Sequence, residues 1–440
     1  MGKLNQFCNI GAEDITTAAR DFGTPFYLYD EKHIIENCKK ALAMPNAHGL
    51  TVRYAMKANS NLSLLKLISS QGLNIDASSM NEVRRAGIAG IPYKNIMLTT
   101  QEVPLNKELD ELKKMIKGGL KYNVCSMQQL FNIGEFAAKE NVKLAIRFHP
   151  GIGSGESATR NTGDKYSCFG VHLSDIEKAL SYAKDRGIIF NLVHSHIGSG
   201  GDPQIWQDNI DLELGIIDKY FPHAETANFG GGLKVARMPD EKAADIEALG
   251  LYAKEKMEDF YKKTGRKLKM EFEPGNFIIA NTGYIVCTII DKKTTGEDGI
   301  NFLVLDGGME LNTRPLLYGA GHPFYIISKN GELLSKEDDF LSPNVHQPHY
   351  EAVPVGRCCE SGDMQSLDKN GLCIPRRMAE PEIGDYFIIG GAGAYCSSMS
   401  PMNYNSHVQA PEILFTSQGE LKVIRKEQTL EQMLTNEVIK

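Results

Sequence analysis

After about residue 50 the chain alternates between short apolar runs and helical patterns, a rhythm that few folds accept. The apolar runs are Val52–Asn59, Leu73–Ser79, Asn95–Thr100, Leu120–Ser126, Val142–Pro150, Ile188–Ser199, Ala224–Gly232 and Lys267–Gly275. Between them, segments such as Asn106–Ile116, Leu173–Arg186 and Asp240–Thr264 repeat apolar residues at three-and-four spacing, the mark of helices laid against a sheet. Eight strand candidates separated by helices is the count of a closed parallel (β/α)8 barrel. A doubly wound open sheet is the competing α/β architecture. Against it, Gly230-Gly231-Gly232 comes late in the chain and lacks the GxGxxG spacing of a dinucleotide-binding first turn.

Beyond about residue 283 the texture changes to short β-like runs separated by turns, among them Gly283–Ile290 and Asn301–Leu305. The expected division is a barrel over 31–283 and a second, mostly antiparallel β domain over 1–30 and 284–440, with the early Pro25–Tyr29 run joining the latter. A length of 440 residues agrees, since it exceeds what one ordinary core absorbs. With 42% apolar residues and 23% charged, the composition is that of a globular protein. The net charge of −7 gives no support to nucleic acid or an anionic membrane as a partner, and no stretch approaches a membrane span. Nine cysteines, scattered without paired zinc-like spacing and without an apolar leader ahead of them, point to reduced thiols and a cytoplasmic location. No cluster of metal ligands is evident, so no metal is expected.

The polar residues at the ends of the predicted strands carry the chemistry, because a barrel converges those ends on one face. Lys57 closes the first strand, in Tyr54-Ala55-Met56-Lys57-Ala58-Asn59, where a partly desolvated amine can attack a carbonyl and form a Schiff base. Asp76 sits in the second strand, His194 and His196 end the sixth, the three glycines end the seventh, and Glu273-Pro274-Gly275 ends the eighth. Each alone also fits a structural role: a solvated lysine, a core histidine, a paired carboxylate. Their common placement favours a site. Gly230, Gly231 and Gly232 let backbone amides approach an anion closely, and Ser199 adds a hydroxyl donor. A Schiff-base lysine, a stacking histidine, a carboxylate and an anion cradle together suit pyridoxal 5'-phosphate.

These motifs, with Cys359-Glu360-Ser361-Gly362-Asp363 and Ala392-Gly393-Ala394-Tyr395, make the chain resemble the diaminopimelate decarboxylases. That family lies within the pyridoxal-phosphate enzymes built on an alanine-racemase-like barrel, alongside ornithine and arginine decarboxylases. The resemblance implies that Lys57 binds the cofactor's aldehyde, His196 stacks on its ring and Glu273 pairs with the ring nitrogen, with Asp76 in the same set. Ser199, the three glycines, Gly275 and Tyr395 would hold the phosphate. Cys359 would be the proton donor, contributed by the neighbouring subunit of a homodimer with shared active sites. A carboxylate at Glu273 keeps the ring nitrogen protonated, which favours decarboxylation over racemisation.

For the substrate, the resemblance assigns Arg314 and Tyr318 to the distal carboxylate, Glu360 to the distal amine, and Asn276 and Tyr395 to the pocket. The implied reaction is decarboxylation of meso-2,6-diaminopimelate to L-lysine. The family usually carries arginine after Glu-Pro-Gly, whereas this chain has Asn276. Asparagine donates a hydrogen bond without a charge, so a related amino acid or diamino acid such as lysine or ornithine is the alternative substrate. The Gly151–Gly163 loop also departs from the family pattern.

Overall fold

The computed structural model describes residues 9–154, 161–200, 202–337 and 349–439. The chain divides into two compact units, one of Asn37–Val235 and Lys242–Ile278, the other of Met1–Glu36, Ala236–Glu241 and Ile279–Lys440. The first strand, β1 (Phe26–Asp30), belongs to the second of these.

The first unit is a closed barrel. Its strands are β2 (Leu50–Ala55), β3 (Asn74–Ala77), β4 (Ile96–Thr99), β5 (Lys121–Val124) and β6 (Leu144–His149). After the two-residue β7 (Val171–His172), which pairs only with β6, come β8 (Phe190–His194), β9 (Thr226–Asn228) and β10 (Lys269–Phe272). Every pairing is parallel, and Met270 of β10 lies opposite Leu50 of β2, which closes the ring. β4 and β6 are buried along their whole lengths, because a parallel barrel covers both faces of each strand. Met97, Ala145 and Leu192 pack together across the interior. Deeper in it, Arg53 of β2 forms a two-bond fork on Glu271 of β10 at 2.7 and 3.0 Å, and Lys121 of β5 adds a third contact at 3.0 Å.

Local sequence explains the helix starts. Ser79, Ser126 and Asp245 each accept a backbone N–H in the first turn of Met80–Ile88, Met127–Lys139 and Ile246–Thr264. The last helix therefore begins at Ile246 and not at Asp240, because Asp245 is its cap. Strands are also shorter than the apolar runs suggest. β2 ends at Ala55, and Met56–Ala58 forms a single 3-10 turn that carries Lys57.

The second unit is a mixed, mostly antiparallel sheet. It contains β11 (Gly283–Thr294), β12 (Asn301–Leu305), β13 (Phe324–Ile327), β14 (Leu333–Lys336), β15 (Tyr350–Val355), β16 (Arg376–Met378), β17 (Tyr386–Ile389), β18 (Glu412–Phe415) and β19 (Leu421–Arg425). β1 lies between β11, antiparallel to it, and β18, parallel to it. The helix Ala12–Phe22 lays Ile15, Ala18 and Ala19 on Phe26, Leu28, Val286, Ile388 and Ile413, forming this unit's core. Among the described residues no helix is long and apolar enough to cross a membrane.

Candidate active site

In the barrel unit most of the sequence-predicted residues collect on the turns just past the ends of the strands, while Asp76 lies within β3 and His194 is the last residue of β8. Glu273 follows β10, the three glycines follow β9, and His196 follows β8 by two residues. Glu273 is 7% exposed; its Oε1 accepts from Asn228 Nδ2 at 2.7 Å and its Oε2 lies 3.4 Å from His194 Nε2. Burial alone would raise its carboxyl, yet His194, His196 and Asn228 outweigh it and bring the group down to about 2. Asn123 in turn holds His194 from below, with its Nδ2 2.7 Å from His194 Nδ1 and 3.2 Å from Thr99 Oγ1. The result is an ionised carboxylate fixed in place by three strands.

His196 has the opposite character. Burial, then the charges of Lys57 and Arg147, push its imidazole well below the usual histidine range, so the ring is neutral. Gly231 N donates to His196 Nδ1 at 3.0 Å, so the remaining ring proton is on Nε2. The glycine run leaves no room for side chains: a Cβ on Gly230 would meet Ser195 O at 2.4 Å, and one on Gly231 would meet Glu273 O at 2.6 Å. Among the described residues neither Ser199 Oγ, which is buried, nor Asp76 Oδ1 has a hydrogen-bond partner. Asp76 is held up by burial and by Glu273, while Lys57 works against both, which places the lysine's charge within reach of this set. Lys57 itself is exposed. Gly275 and Asn276 are half-buried, where Asn276 opens the short helix Asn276–Ile279. Of the Gly151–Gly163 loop, residues 155–160 lie outside the described residues; Ser154 donates to Ile197 O at 2.9 Å, which seats the loop beside the His196 turn.

Sequence reading missed Asn228, Asn123 and Arg147. Arg147 is 7% exposed on β6, its Nε is buried without an acceptor among the described residues, and its guanidinium stacks 5.0 Å from the Phe169 ring. A charged residue inside the apolar run Leu144-Ala145-Ile146-Arg147-Phe148 was the available signal.

The β unit holds the remaining predicted residues. Arg314 and Tyr318 are the two ends of the short helix Arg314–Tyr318, with the guanidinium 6.0 Å from the tyrosine ring. Tyr395 adopts φ +58, a left-handed conformation uncommon for a bulky side chain, beside Gly393, whose Cβ would meet Ile279 O at 1.9 Å. The adjacent cysteines differ. Cys358 Sγ lies 3.4 Å from Glu310 Oε2, and burial, with Glu310 and Asp363, pushes its thiol far up. Cys359 is exposed, and its backbone N–H donates to Asn405 Oδ1 at 2.7 Å. Glu360 is exposed and is reached by Tyr404 Oη at 3.3 Å. Glu310, Cys358 and Asp363 have donor atoms within 4.8 Å of one another. Their capacity is already engaged, because Arg357 Nε sits 3.3 Å from Glu310 and two backbone N–H groups donate to Asp363.

Residues 31–280 match the family described as pyridoxal-dependent decarboxylase, pyridoxal binding domain. The diaminopimelate decarboxylase of Escherichia coli strain K12 is 30% identical over 435 residues, covering 98% of each chain. Among solved structures, a diaminopimelate decarboxylase matches with a TM-score of 0.85 at 28% identity, covering 99% of both chains. The Helicobacter pylori diaminopimelate decarboxylase complexed with L-lysine matches with a TM-score of 0.76 at 26% identity, covering 95% of this chain and 98% of that one.

Proposed function

We propose, from the premise that the chain belongs to the pyridoxal-dependent decarboxylases, that it decarboxylates meso-2,6-diaminopimelate to L-lysine with pyridoxal 5'-phosphate as cofactor. The observation that carries this reading is the ionised Glu273, buried and anchored by His194 and Asn228. A carboxylate kept ionised at that point holds a proton on a pyridine nitrogen, and a protonated ring withdraws electrons. When bound, the cofactor supplies the sink for the electron pair left as carbon dioxide departs.

The barrel residues fit that group. Ser199 Oγ, buried without a partner among the described residues, is a donor suited to a phosphate. Gly230 N and Gly231 N already donate to Asn228 Oδ1 and His196 Nδ1, so the glycine run contributes Gly232 N and a surface without side chains, and Gly275 and Tyr395 join them in this reading. His196, neutral and pinned by Gly231, offers a flat face that brings no charge to the ring. Lys57 supplies the amine that binds the aldehyde, and Asp76 lies within range of its charge. Cys359, the exposed member of the cysteine pair, delivers a proton to the carbon that lost carbon dioxide. Arg314, Tyr318 and Asn276 meet the distal carboxylate, and Glu360 meets the distal amine.

The homodimer belongs to the same proposal. An exposed Cys359 and Glu360 sit in a unit that also exposes Leu316, Leu317, Leu372 and Met402, apolar surface suited to a second copy. We assign the enzyme to the cytoplasm, in keeping with its nine scattered cysteines. Asn276 favours one second reading, decarboxylation of a related diamino acid, because it removes a charge from the pocket. Measuring carbon dioxide release from meso-diaminopimelate, D-lysine, L-lysine and ornithine decides between them. Release from meso-diaminopimelate alone is the expected result, and preference for ornithine or a lysine overturns it. A holoenzyme whose visible cofactor absorbance is unchanged by Lys57→Ala overturns the cofactor assignment.

A further inference from the structure

Arg314 is only 1% exposed, and among the described residues it forms no ion pair. A guanidinium withdrawn from water is unfavourable unless a negative group meets it, so this one is poised to take an anion. Arg376, in the same neighbourhood, shows the contrast, since it is paired with Glu337. The side chain of Arg314 has one hydrogen-bond partner among the described residues: its Nε donates to His322 Nε2 at 3.3 Å.

His322 is fully buried, and its Nδ1 lies 2.8 Å from Gly390 O. A carbonyl only accepts, so Nδ1 carries the proton and Nε2 presents a lone pair to Arg314. Burial, with the charges of Arg314, Arg237 and Arg376, keeps the ring neutral, and an imidazolium would set one N–H against another. The carbonyl end is fixed as well. Gly390 N donates to Pro323 O at 2.8 Å, and a Cβ on Gly390 would crowd Pro323 Cγ and Tyr325 Cε2 at 3.0 Å. With Nε engaged, the two terminal nitrogens of Arg314 form the only fork left to a ligand, and that fork matches a carboxylate met end-on.

We propose that His322 is a positioning residue that aims Arg314 at the substrate's distal carboxylate and so sets specificity without touching the substrate. The inference rests on the proposed reaction, which leaves the distal carboxylate on the product: L-lysine retains it, whereas 1,5-diaminopentane has none. The test uses the holoenzyme and three variants. His322→Leu removes both hydrogen bonds, His322→Asn can keep the donor toward Gly390, and His322→Gln can restore an acceptor where Nε2 stood.

The expected result for His322→Leu is a KM for diaminopimelate and an inhibition constant for L-lysine each raised about tenfold or more, with kcat within about threefold of the parent, since tenfold corresponds to one lost polar contact. Inhibition by 1,5-diaminopentane stays within about twofold, and His322→Gln recovers more than His322→Asn. A thermal unfolding midpoint for each variant separates misfolding from misaiming. Equal weakening toward L-lysine and 1,5-diaminopentane, or no recovery by His322→Gln, overturns the assignment to His322. If the parent enzyme itself binds L-lysine and 1,5-diaminopentane equally, the distal-carboxylate reading fails first and takes this proposal with it.

Discussion

Replacing Glu273 by glutamine tests the electrostatics of the barrel mouth without the cofactor. The carboxyl moves from its ordinary 4.5 to about 2 on folding, so the ionised form is favoured in the native state. A depressed acid contributes stability that is present above its unfolded value and lost as pH falls toward its folded one. That depression corresponds to roughly 3 kcal/mol at pH 7. The same relation leaves about half of that at pH 3. Asp76 is held up by burial and by Glu273, so the comparison is best made in an Asp76→Asn background, which removes that neighbouring carboxyl. Urea unfolding of the apoenzyme, followed by far-ultraviolet circular dichroism at pH 7, 5 and 3, gives the stability gap between the Asp76→Asn parent and the same chain carrying Glu273→Gln. The reasoning fails if Glu273→Gln is as stable as its parent at pH 7, or if the gap does not narrow on acidification.

Gly231→Ala should weaken cofactor binding by about tenfold or more in a spectroscopic titration of the apoenzyme, because the added Cβ falls 2.6 Å from Glu273 O and displaces the N–H that His196 accepts. Glu271→Gln leaves Arg53 buried and incompletely paired, so a loss of roughly 3 to 5 kcal/mol is expected in chemical denaturation, and Arg53→Met with Glu271→Leu should recover most of it. Cys359→Ala should lower turnover about a hundredfold while the bound cofactor's absorbance persists; Cys358→Ala, which removes a thiol already engaged with Glu310, should change it far less. Asn276→Arg should sharpen the preference for diaminopimelate over ornithine by roughly ten- to a hundredfold in relative kcat/KM, the worth of one charge-assisted contact.

The barrel was legible because each strand is announced locally, by an apolar run with a helical pattern behind it, and all eight runs hold strands. The closing of the ring is likewise implied by the count. Lys57, the glycine run and Glu273 were legible for a related reason: each follows its strand directly in the chain. What escaped were partners brought together from strands distant in sequence. Asn228 meets Glu273 across 45 residues and Asn123 meets His194 across 71, and no local pattern marks such pairs. His322 lies eight residues after Arg314, yet what joins them is the end of β17, supplying Gly390 O from 68 residues further on. The start of the Ile246–Thr264 helix was misplaced because its apolar periodicity says nothing of where the capping carboxylate of Asp245 falls.

Glu271 and Glu273 stand two positions apart on one short segment, the first held by Arg53 and Lys121, the second by Asn228 and His194. Alternate residues of an extended chain share a side, so one register aims both acids inward. Deleting a single residue ahead of Lys269 would turn both outward together, stranding the buried Arg53 and emptying the mouth of its anion. Scaffold and chemistry are thus written in the same frame, and a chain that loses the frame loses its fold before any altered activity can be selected.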